Sequence, residues 1–209
     1  MDRLSDTPRE APVVSRVRSF TGKVWDIDSD DVDLGDGVVV TRDYVRHTGA
    51  VAIMALNDRN EIYLVHQYRH PVRAECWEPP AGLMDIAGED ALGTAQRELW
   101  EEADLTAQRW DVLVDAYTSP GGSSEAIRIF LARDIAEVPE RERHVREHEE
   151  AQMSGAWVPL QEVIAAVMDG RVHSPTIVMG ALALNEALRA DGATLRPAQS
   201  AWDRPPSRE

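Results

Sequence analysis

The sequence predicts an α/β fold, because strand-like segments and amphipathic helical segments alternate along the chain. β-branched runs separated by turn residues extend from Val13 to Arg69, and a helical pattern follows over about residues 90–103. Strand-like segments then resume before two further helical segments. The chain has 209 residues, of which 43% are hydrophobic, which is enough to bury one complete core. We therefore expect one α/β domain with short appendages.

The N-terminal half is predicted to be β-rich. Its strands are expected at residues 38–40, 50–54 and 62–65. Gly35-Asp36-Gly37 supplies a turn before the first of these strands, and Asn57-Asp58-Arg59-Asn60 supplies one between the last two.

The first helix is predicted from an apolar stripe with helical spacing, formed by Leu92, Ala95, Leu99 and Ala103. Later strands are expected at residues 110–114, 126–131 and 156–158. Two more helices are expected, at residues 160–168 and from Ser174-Pro175, because serine suits the N-cap and proline suits the first helical turn.

Two segments carry no clear signal of a helix or strand. The highly charged segment from Pro139 to Glu150 is expected to be a mobile loop. The tail from Asp191 is rich in proline and arginine and is expected to lack regular structure.

The composition limits the classes of function. With 22 basic and 37 acidic residues, the formal net charge is −15, which disfavours binding to nucleic acid or to anionic membranes. A phosphorylated small molecule would meet the same repulsion, so a cation is expected where its phosphates bind. Cys76 is the only cysteine, which excludes an internal disulfide and a cysteine-rich zinc site. The polar N-terminus and the lack of long apolar runs predict a cytoplasmic protein.

Several carboxylates share one edge of the first helix. At 100° per residue, Glu98 and Glu102 lie about 40° apart, and Glu101 lies on their flank. Like charges at these spacings repel, so they require either solvent or a bound cation. A hard divalent cation prefers such oxygen ligands. Taken alone, the cluster also fits an ordinary solvated acidic helix face.

The wider spacing resembles the Nudix box, G-x5-E-x7-R-E-U-x-E-E-x-G-U, where U is a bulky apolar residue. Five charged positions match its internal spacing: Glu89, Arg97, Glu98, Glu101 and Glu102. At about 6% abundance for each charged residue type, five such matches arise by chance roughly once per million start positions. The chain is therefore identified from its sequence as resembling the Nudix hydrolase family.

The match has two departures, neither of which affects a carboxylate. Gly82 lies one residue farther from Glu89 than the box requires, and Asp104 stands where the box has glycine. The first departure requires one extra loop residue. The second requires aspartate to end the helix, in a left-handed conformation that aspartate tolerates better than most residues.

The resemblance implies an α/β/α sandwich with a mixed β-sheet and a site for Mg²⁺ or Mn²⁺. Glu98 and Glu102 would bind the metal, and the backbone carbonyl of Ala81 would complete the site. Glu101 would share or support the metal site. Arg97 would orient the glutamates, and both it and Glu101 are assigned to the catalytic machinery. Glu89 would have a supporting role.

Other segments resemble the ADP-ribose pyrophosphatase branch of the family. They are Gln67-Tyr68-Arg69, the run from Trp77 to Gly82, and Pro120, which lies 15 residues after Leu105. The resemblance implies substrate binding by Arg69, Glu78, Gly82, Arg42 and Asp43. Arg69 also fits an ordinary surface arginine, and Arg42 and Asp43 also fit an exposed strand face.

The resemblance also implies a catalytic base on a late loop, where Glu150 aligns best and Glu149 is the alternative. The same segment holds His144 and His148, which are interpreted as loop histidines because Mg²⁺ prefers oxygen.

Three parts of the chain are assigned on this basis. Residues 1–40 are predicted to be a β-rich dimerisation segment, residues 41–190 the Nudix domain and residues 191–209 a tail. The expected protein is a homodimer that hydrolyses ADP-ribose, a small-molecule nucleoside diphosphate sugar, to AMP and ribose 5-phosphate. Two alternatives stay open: another nucleotide sugar or a dinucleotide as substrate, and a non-catalytic module that senses ADP-ribose.

Overall fold

The structure is a computed structural model, and it describes residues 4–146 and 153–202. The chain divides into two compact units. The first comprises Met1–His47 with Ser119–Glu125, and the second comprises Thr48–Thr118 with Ala126–Glu209. None of the described helices is long and apolar enough to cross a membrane.

The first unit is built on a three-stranded antiparallel sheet. Its strands are β1 (Val13–Thr21), β2 (Asp26–Asp33) and β3 (Val39–Arg46), with β2 in the centre. Because β3 pairs with β2 along its whole length, it belongs to the first unit, which extends to His47.

Ion pairs across its strands stabilise this sheet. Asp28 accepts hydrogen bonds from Arg18 on β1 and from Arg46 on β3, the latter at 2.7 Å, and only 1% of Asp28 is exposed. The bond from Arg18, assisted by Arg46, outweighs burial and holds the pKa of the Asp28 carboxyl below its ordinary value. Arg16 bonds to Asp30 in the same way, at 2.8 Å.

The second unit contains two sheets. The strands are β4 (Ala50–Ala55), β5 (Glu61–Arg69), β6 (Ala74–Glu78), β7 (Ala81–Leu83), β8 (Leu105–Tyr117), β9 (Ala126–Glu137), β10 (Ser154–Pro159) and β11 (Arg196–Pro197). The larger sheet has the order β11-β8-β9-β4-β7, and the smaller has the order β10-β5-β6. Since β4 and β9 are parallel and the other pairs are antiparallel, the larger sheet is mixed.

Helices cover both faces of the mixed sheet. The described residues form three α-helices, α1 (Ala91–Ala103), α2 (Leu160–Met168) and α3 (Pro175–Arg189), and a short 3-10 helix at Glu140–Glu142. Every residue of β4 is buried, and successive side chains point to opposite faces. Ile53 belongs to the same core cluster as Leu99 of α1, whereas Met54 belongs to the cluster that contains Ile177 of α3. This arrangement confirms the predicted α/β/α sandwich with a mixed sheet.

The described part of the tail is more ordered than the sequence suggested. β11 pairs with β8, and Ala198 is 6% exposed. Arg128, which is 3% exposed on β9, donates to the carbonyl oxygens of Ser200 and Ala201 at 2.8 and 3.2 Å. A buried guanidinium requires acceptors, and the tail supplies two of them.

Candidate active site

Helix α1 has defined ends that fix the positions of its glutamates. Its N-cap is Asp90, whose Oδ1 accepts a hydrogen bond from the backbone N–H of Gly93 at 2.7 Å. It ends at Asp104, which adopts the left-handed conformation with φ 54°. Leu99 in between is fully buried and anchors the helix on the mixed sheet. The polar edge of the helix therefore has a fixed direction.

Arg97 is the centre of a carboxylate cluster on this edge. Its guanidinium contacts Glu89 at 3.1 Å, Glu98 at 2.6 Å and Glu101 at 2.9 Å. The hydrogen bond from Arg97 lowers the pKa of Glu89 despite partial burial. Burial alone would lower the pKa of Arg97, but its bonds to the three carboxylates raise it. The structure thus brings Arg97 together with three of the four glutamates that the box predicts.

Glu102, the fourth glutamate of the box, faces Ala81 at the start of β7. Glu102 is 8% exposed, and its Oε2 accepts a hydrogen bond from the backbone N–H of Ala81 at 2.9 Å. A buried carboxylate needs such a partner. The bond places Glu102 beside the residue whose carbonyl is the predicted fourth ligand.

The lack of a side chain at Gly82 leaves room for the carboxylate of Glu98. A β-carbon on residue 82 would lie 2.0 Å from Cδ and from Oε1 of Glu98, which is closer than real atoms approach. The sequence analysis assigned Gly82 to substrate binding. The structure shows that its lack of a side chain makes room for a predicted metal ligand.

The donor set fits a hard divalent cation. Glu98, Glu101 and Glu102 offer only oxygen atoms, and the Glu98 and Glu101 side chains are 12% and 21% exposed. One guanidinium faces three carboxylates of the cluster, so negative charge remains to be offset. Within residues 4–146 and 153–202, no group of three acidic, histidine or cysteine side chains has an arrangement that could hold a metal ion. Glu98 and Glu101 are instead paired with Arg97.

Arg69 and Glu78, both predicted to bind substrate, form an ion pair with each other. Arg69 Nη2 lies 2.6 Å from Glu78 Oε2, and the Gln67 side chain donates to the same oxygen at 3.1 Å. Burial lowers the pKa of Arg69, but the bond to Glu78 and the field of Glu102 raise it overall. Arg69 therefore interacts electrostatically with Glu102, a predicted metal ligand.

Arg42 and Asp43 lie in the first unit, on opposite faces of its sheet. They are consecutive residues of β3, where Arg42 is opposite Asp30 and Asp43 is opposite Ser29. Asp43 accepts a hydrogen bond from Ser29, and Arg42 donates to the backbone of Thr41.

The predicted base and its alternative, Glu150 and Glu149, lie outside the described residues, as does His148. His144 is described, and its ring packs edge-on against Trp100 at a centroid distance of 5.4 Å.

The sequence analysis did not find the contacts between the end of α1 and the charged segment. Arg146 bonds to Asp104 at 2.6 Å and to the carbonyl oxygen of Glu101 at 3.0 Å. The expected loop is therefore docked on the helix at Arg146. The one signal available in the sequence was aspartate in place of the glycine of the box.

Comparisons with known proteins give consistent matches over most of the chain. The family model described as NUDIX domain matches residues 46–177. An ADP-ribose pyrophosphatase of Mycobacterium tuberculosis is 43% identical over 193 residues, which are 92% of this chain and 91% of the relative. An ADP-ribose pyrophosphatase of Bacillus subtilis is 34% identical over 183 residues, which are 87% of this chain and 97% of the relative.

A solved structure shares the fold. The crystal structure of an ADP compounds hydrolase superposes with a TM-score of 0.74 at 20% identity, covering 90% of this chain and 99% of that chain. At this identity, the similarity concerns the fold alone.

Proposed function

Because the chain belongs to the NUDIX family, we propose that it hydrolyses the pyrophosphate bond of ADP-ribose and releases AMP and ribose 5-phosphate. The observation that carries the proposal is the carboxylate edge of α1, where Arg97 holds Glu89, Glu98 and Glu101 while Glu102 lies against Ala81. The two relatives named ADP-ribose pyrophosphatase, each aligned over more than 85% of this chain, supply the substrate class.

The residues that would hold the cation are Glu98, Glu102 and the carbonyl of Ala81, with Glu101 beside them. We propose Mg²⁺ or Mn²⁺, since both accept oxygen ligands. A bound divalent cation neutralises charge on the phosphoryl oxygens and makes water more acidic.

The protein itself supplies orientation and a proton acceptor. Arg97 restrains the predicted ligands Glu98 and Glu101, which limits the freedom they would lose on binding a cation. Arg69 is held by Glu78 at the end of β5, where its planar guanidinium suits a phosphate. A water oxygen attacks one phosphorus, the bond from that phosphorus to the bridging oxygen breaks, and Glu150 takes the proton from the water.

A homodimer formed through residues 1–40 is part of the proposal. β1 is an edge strand of its three-stranded sheet, and its apolar side chains are exposed: Val14 at 65%, Val17 at 59% and Phe20 at 58%. An exposed apolar edge strand favours pairing with another chain. Light scattering of the purified protein would test the dimer, and a monomer that hydrolyses ADP-ribose would contradict it. Cytoplasmic location and the domain boundaries at residues 40 and 190 remain predictions.

The decisive experiment is product analysis by HPLC after incubation with ADP-ribose and Mg²⁺ or Mn²⁺. We expect AMP and ribose 5-phosphate, and no products in EDTA. Undiminished turnover in EDTA would contradict the role of the cation. Parallel incubations with another nucleoside diphosphate sugar and with a dinucleotide would detect a different substrate. Binding of ADP-ribose without turnover, under all metal conditions, would favour a sensor instead.

A further inference from the structure

One carboxylate oxygen on the smaller sheet accepts three hydrogen bonds. Glu78 Oε2 accepts from Arg69 Nε at 3.0 Å, from Arg69 Nη2 at 2.6 Å and from Gln67 Nε2 at 3.1 Å. Gln67 and Arg69 are two residues apart on β5, so their side chains leave the same face of the sheet. Glu78 lies opposite Val65 and points to that face as well. We call Gln67, Arg69 and Glu78 the Glu78 cluster.

The Glu78 cluster leaves one edge of the Arg69 guanidinium available. A guanidinium can bind an anion through its Nε–Nη2 edge or through its Nη1–Nη2 edge. Glu78 occupies the first edge, and Nη1 donates no hydrogen bond to any described residue. The Arg69 side chain is 46% exposed, whereas that of Glu78 is 10% exposed. The Nη1–Nη2 edge therefore suits a ligand with two acceptor oxygens on one atom, as in a phosphate.

The Glu78 cluster lies next to the predicted metal ligands. Glu78 ends β6 and precedes Ala81 by three residues, with two buried prolines between them. Three residues span at most about 11 Å. Ala81 in turn donates its N–H to Glu102, and the charge of Arg69 interacts with Glu102. A phosphate bound at the free edge of Arg69 would thus lie beside the carboxylate edge of α1.

Glu78 is poorly suited to contact a diphosphate directly. Both groups are negatively charged, so a bare carboxylate beside the phosphates would weaken binding. In the cluster, the guanidinium of Arg69 offsets that charge. The amide of Gln67 supplies a neutral third donor, which restrains the carboxylate and, through it, the guanidinium. These contacts favour a role for Glu78 and Gln67 in holding Arg69.

We propose that Gln67 and Glu78 are positioning residues, which fix the guanidinium of Arg69 so that its Nη1–Nη2 edge binds one phosphate of the substrate. The proposal rests on the proposed function, since ADP-ribose supplies the diphosphate. Ordering a long side chain on binding weakens affinity by roughly two- to twelvefold. An arginine that is already held avoids this cost. Loss of the Gln67 donor should therefore weaken substrate binding and leave the chemical step unchanged.

The test measures kcat and KM with ADP-ribose at saturating Mn²⁺ for the wild type, Gln67→Leu, Arg69→Lys, the double variant and Gln161→Leu. Leucine at residue 67 keeps about the size of glutamine and removes its donor. Lysine at residue 69 keeps the charge that offsets Glu78 but lacks the planar fork. Gln161→Leu is the matched control, because Gln161 is an exposed residue of α2 whose amide donates to Asn185 at 3.2 Å. Mn²⁺ affinity and melting temperature are recorded for each protein.

We expect Gln67→Leu to raise KM by roughly two- to twelvefold, with kcat and Mn²⁺ affinity unchanged. Arg69→Lys should raise KM at least as much, because it removes the edge itself. In the Arg69→Lys background, Gln67→Leu should raise KM by less than about twofold, since the edge that Gln67 positions is already gone. Gln161→Leu should match the wild type. A purely structural role for Gln67 predicts instead a lower melting temperature with unchanged KM.

The proposal is overturned if Gln67→Leu keeps the KM of the control, or if the two increases in KM multiply in the double variant. It is also overturned if kcat falls at constant KM, or if Mn²⁺ affinity falls in parallel with the rise in KM. These outcomes leave the proposed function intact. If the wild type and Gln161→Leu release no AMP from ADP-ribose, the proposed function fails and both proposals fall together.

Discussion

The carboxylate of Glu98 occupies the space where a side chain on Gly82 would begin. An ideal β-carbon at residue 82 would lie 2.0 Å from Glu98 Cδ and Oε1 and 2.6 Å from its Cγ. Arg97 restrains Glu98 from the other direction through a 2.6 Å contact. The carboxylate is thus confined between a backbone and a guanidinium, both of which limit its rotamers.

Gly82→Ala should therefore displace Glu98. The atoms that must move are the end of a flexible side chain, so the displacement should cost little stability, whereas the displaced carboxylate should bind Mn²⁺ more weakly. Isothermal titration with Mn²⁺ and thermal unfolding would measure both effects. Gly121→Ala is the control, since a β-carbon there meets no atom within 4 Å. Equal metal affinity in the two variants would show that Glu98 does not bind the ion.

Glu98→Gln and Glu102→Gln should each weaken binding of Mg²⁺ and Mn²⁺ by about tenfold or more, because each change removes a full negative charge from an oxygen donor set. In Glu102→Gln, the amide oxygen can still accept from Ala81 N–H, so the fold should be retained. Glu162→Gln on the exposed face of α2 is the charge-matched control. If both variants gave the same metal titration curve as Glu162→Gln, the metal site would lie elsewhere.

The ion pairs of β2 predict a dependence of stability on pH. The folded-state pKa of Asp28 lies below its ordinary value because of the hydrogen bond from Arg18. A depressed pKa contributes stability above the unfolded-state pKa of about 3.9, and this contribution is lost as the pH falls through the folded-state value. The wild type should therefore melt at a higher temperature than Asp28→Asn near neutral pH.

The difference in melting temperature between the wild type and Asp28→Asn should shrink as the pH falls below about 4. Melting curves between neutral and acidic pH, monitored by circular dichroism, would measure it. Asp36→Asn is the comparison, since Asp36 is an exposed turn residue. A difference between wild type and Asp28→Asn that stays constant down to the lowest pH would show that the carboxylate charge does not matter.

The position of the first helix was predictable from the sequence, whereas the pairing of the strands was not. Residues 90–103 were predicted as a helix, and α1 spans Ala91–Ala103 with Asp90 as N-cap. The periodic stripe and the capping residue are local signals, and so is the spacing of the glutamates. The predicted helix at residues 160–168 coincides with α2 for the same reason.

β2 lies within the segment predicted to be β-rich, but its bounds were not predicted, because its own residues give a weak strand signal. Its sequence, Asp-Ile-Asp-Ser-Asp-Asp-Val-Asp, is rich in a residue that disfavours strands. Arginines on the neighbouring strands form ion pairs with three of its five aspartates, Asp26, Asp28 and Asp30. The contacts of the charged segment with the end of α1 were missed for a related reason: Asp104 and Arg146 are 42 residues apart, and no local pattern links them.

Glu150→Gln should lower kcat steeply while it leaves metal affinity and substrate affinity nearly unchanged. Glu98 and Glu102 are assigned to the cation, so another carboxylate is needed to accept the proton, and glutamine keeps the size of glutamate without its basicity. General-base catalysis of this kind contributes about 10²–10⁴-fold.

Single-turnover kinetics at saturating Mg²⁺ would measure the loss of catalytic rate in Glu150→Gln without interference from metal release. Glu149→Gln is the matched control. A loss confined to Glu149→Gln would move the assignment by one residue, and full activity in both variants would refute a loop carboxylate as the base.

The burial of β4 links occupancy of the site to unfolding of the whole second unit. β4 pairs with β7, and Ala52 lies opposite Ala81, whose N–H holds Glu102. Ala52 is completely buried and belongs to the core that α3 covers, so the backbone of the site cannot separate from β4 without opening that core. A cation bound to the native site alone raises the free energy of unfolding by mass action. Binding of the cation should therefore slow hydrogen exchange at the backbone amides of β4 and β9 as well as at those of α1.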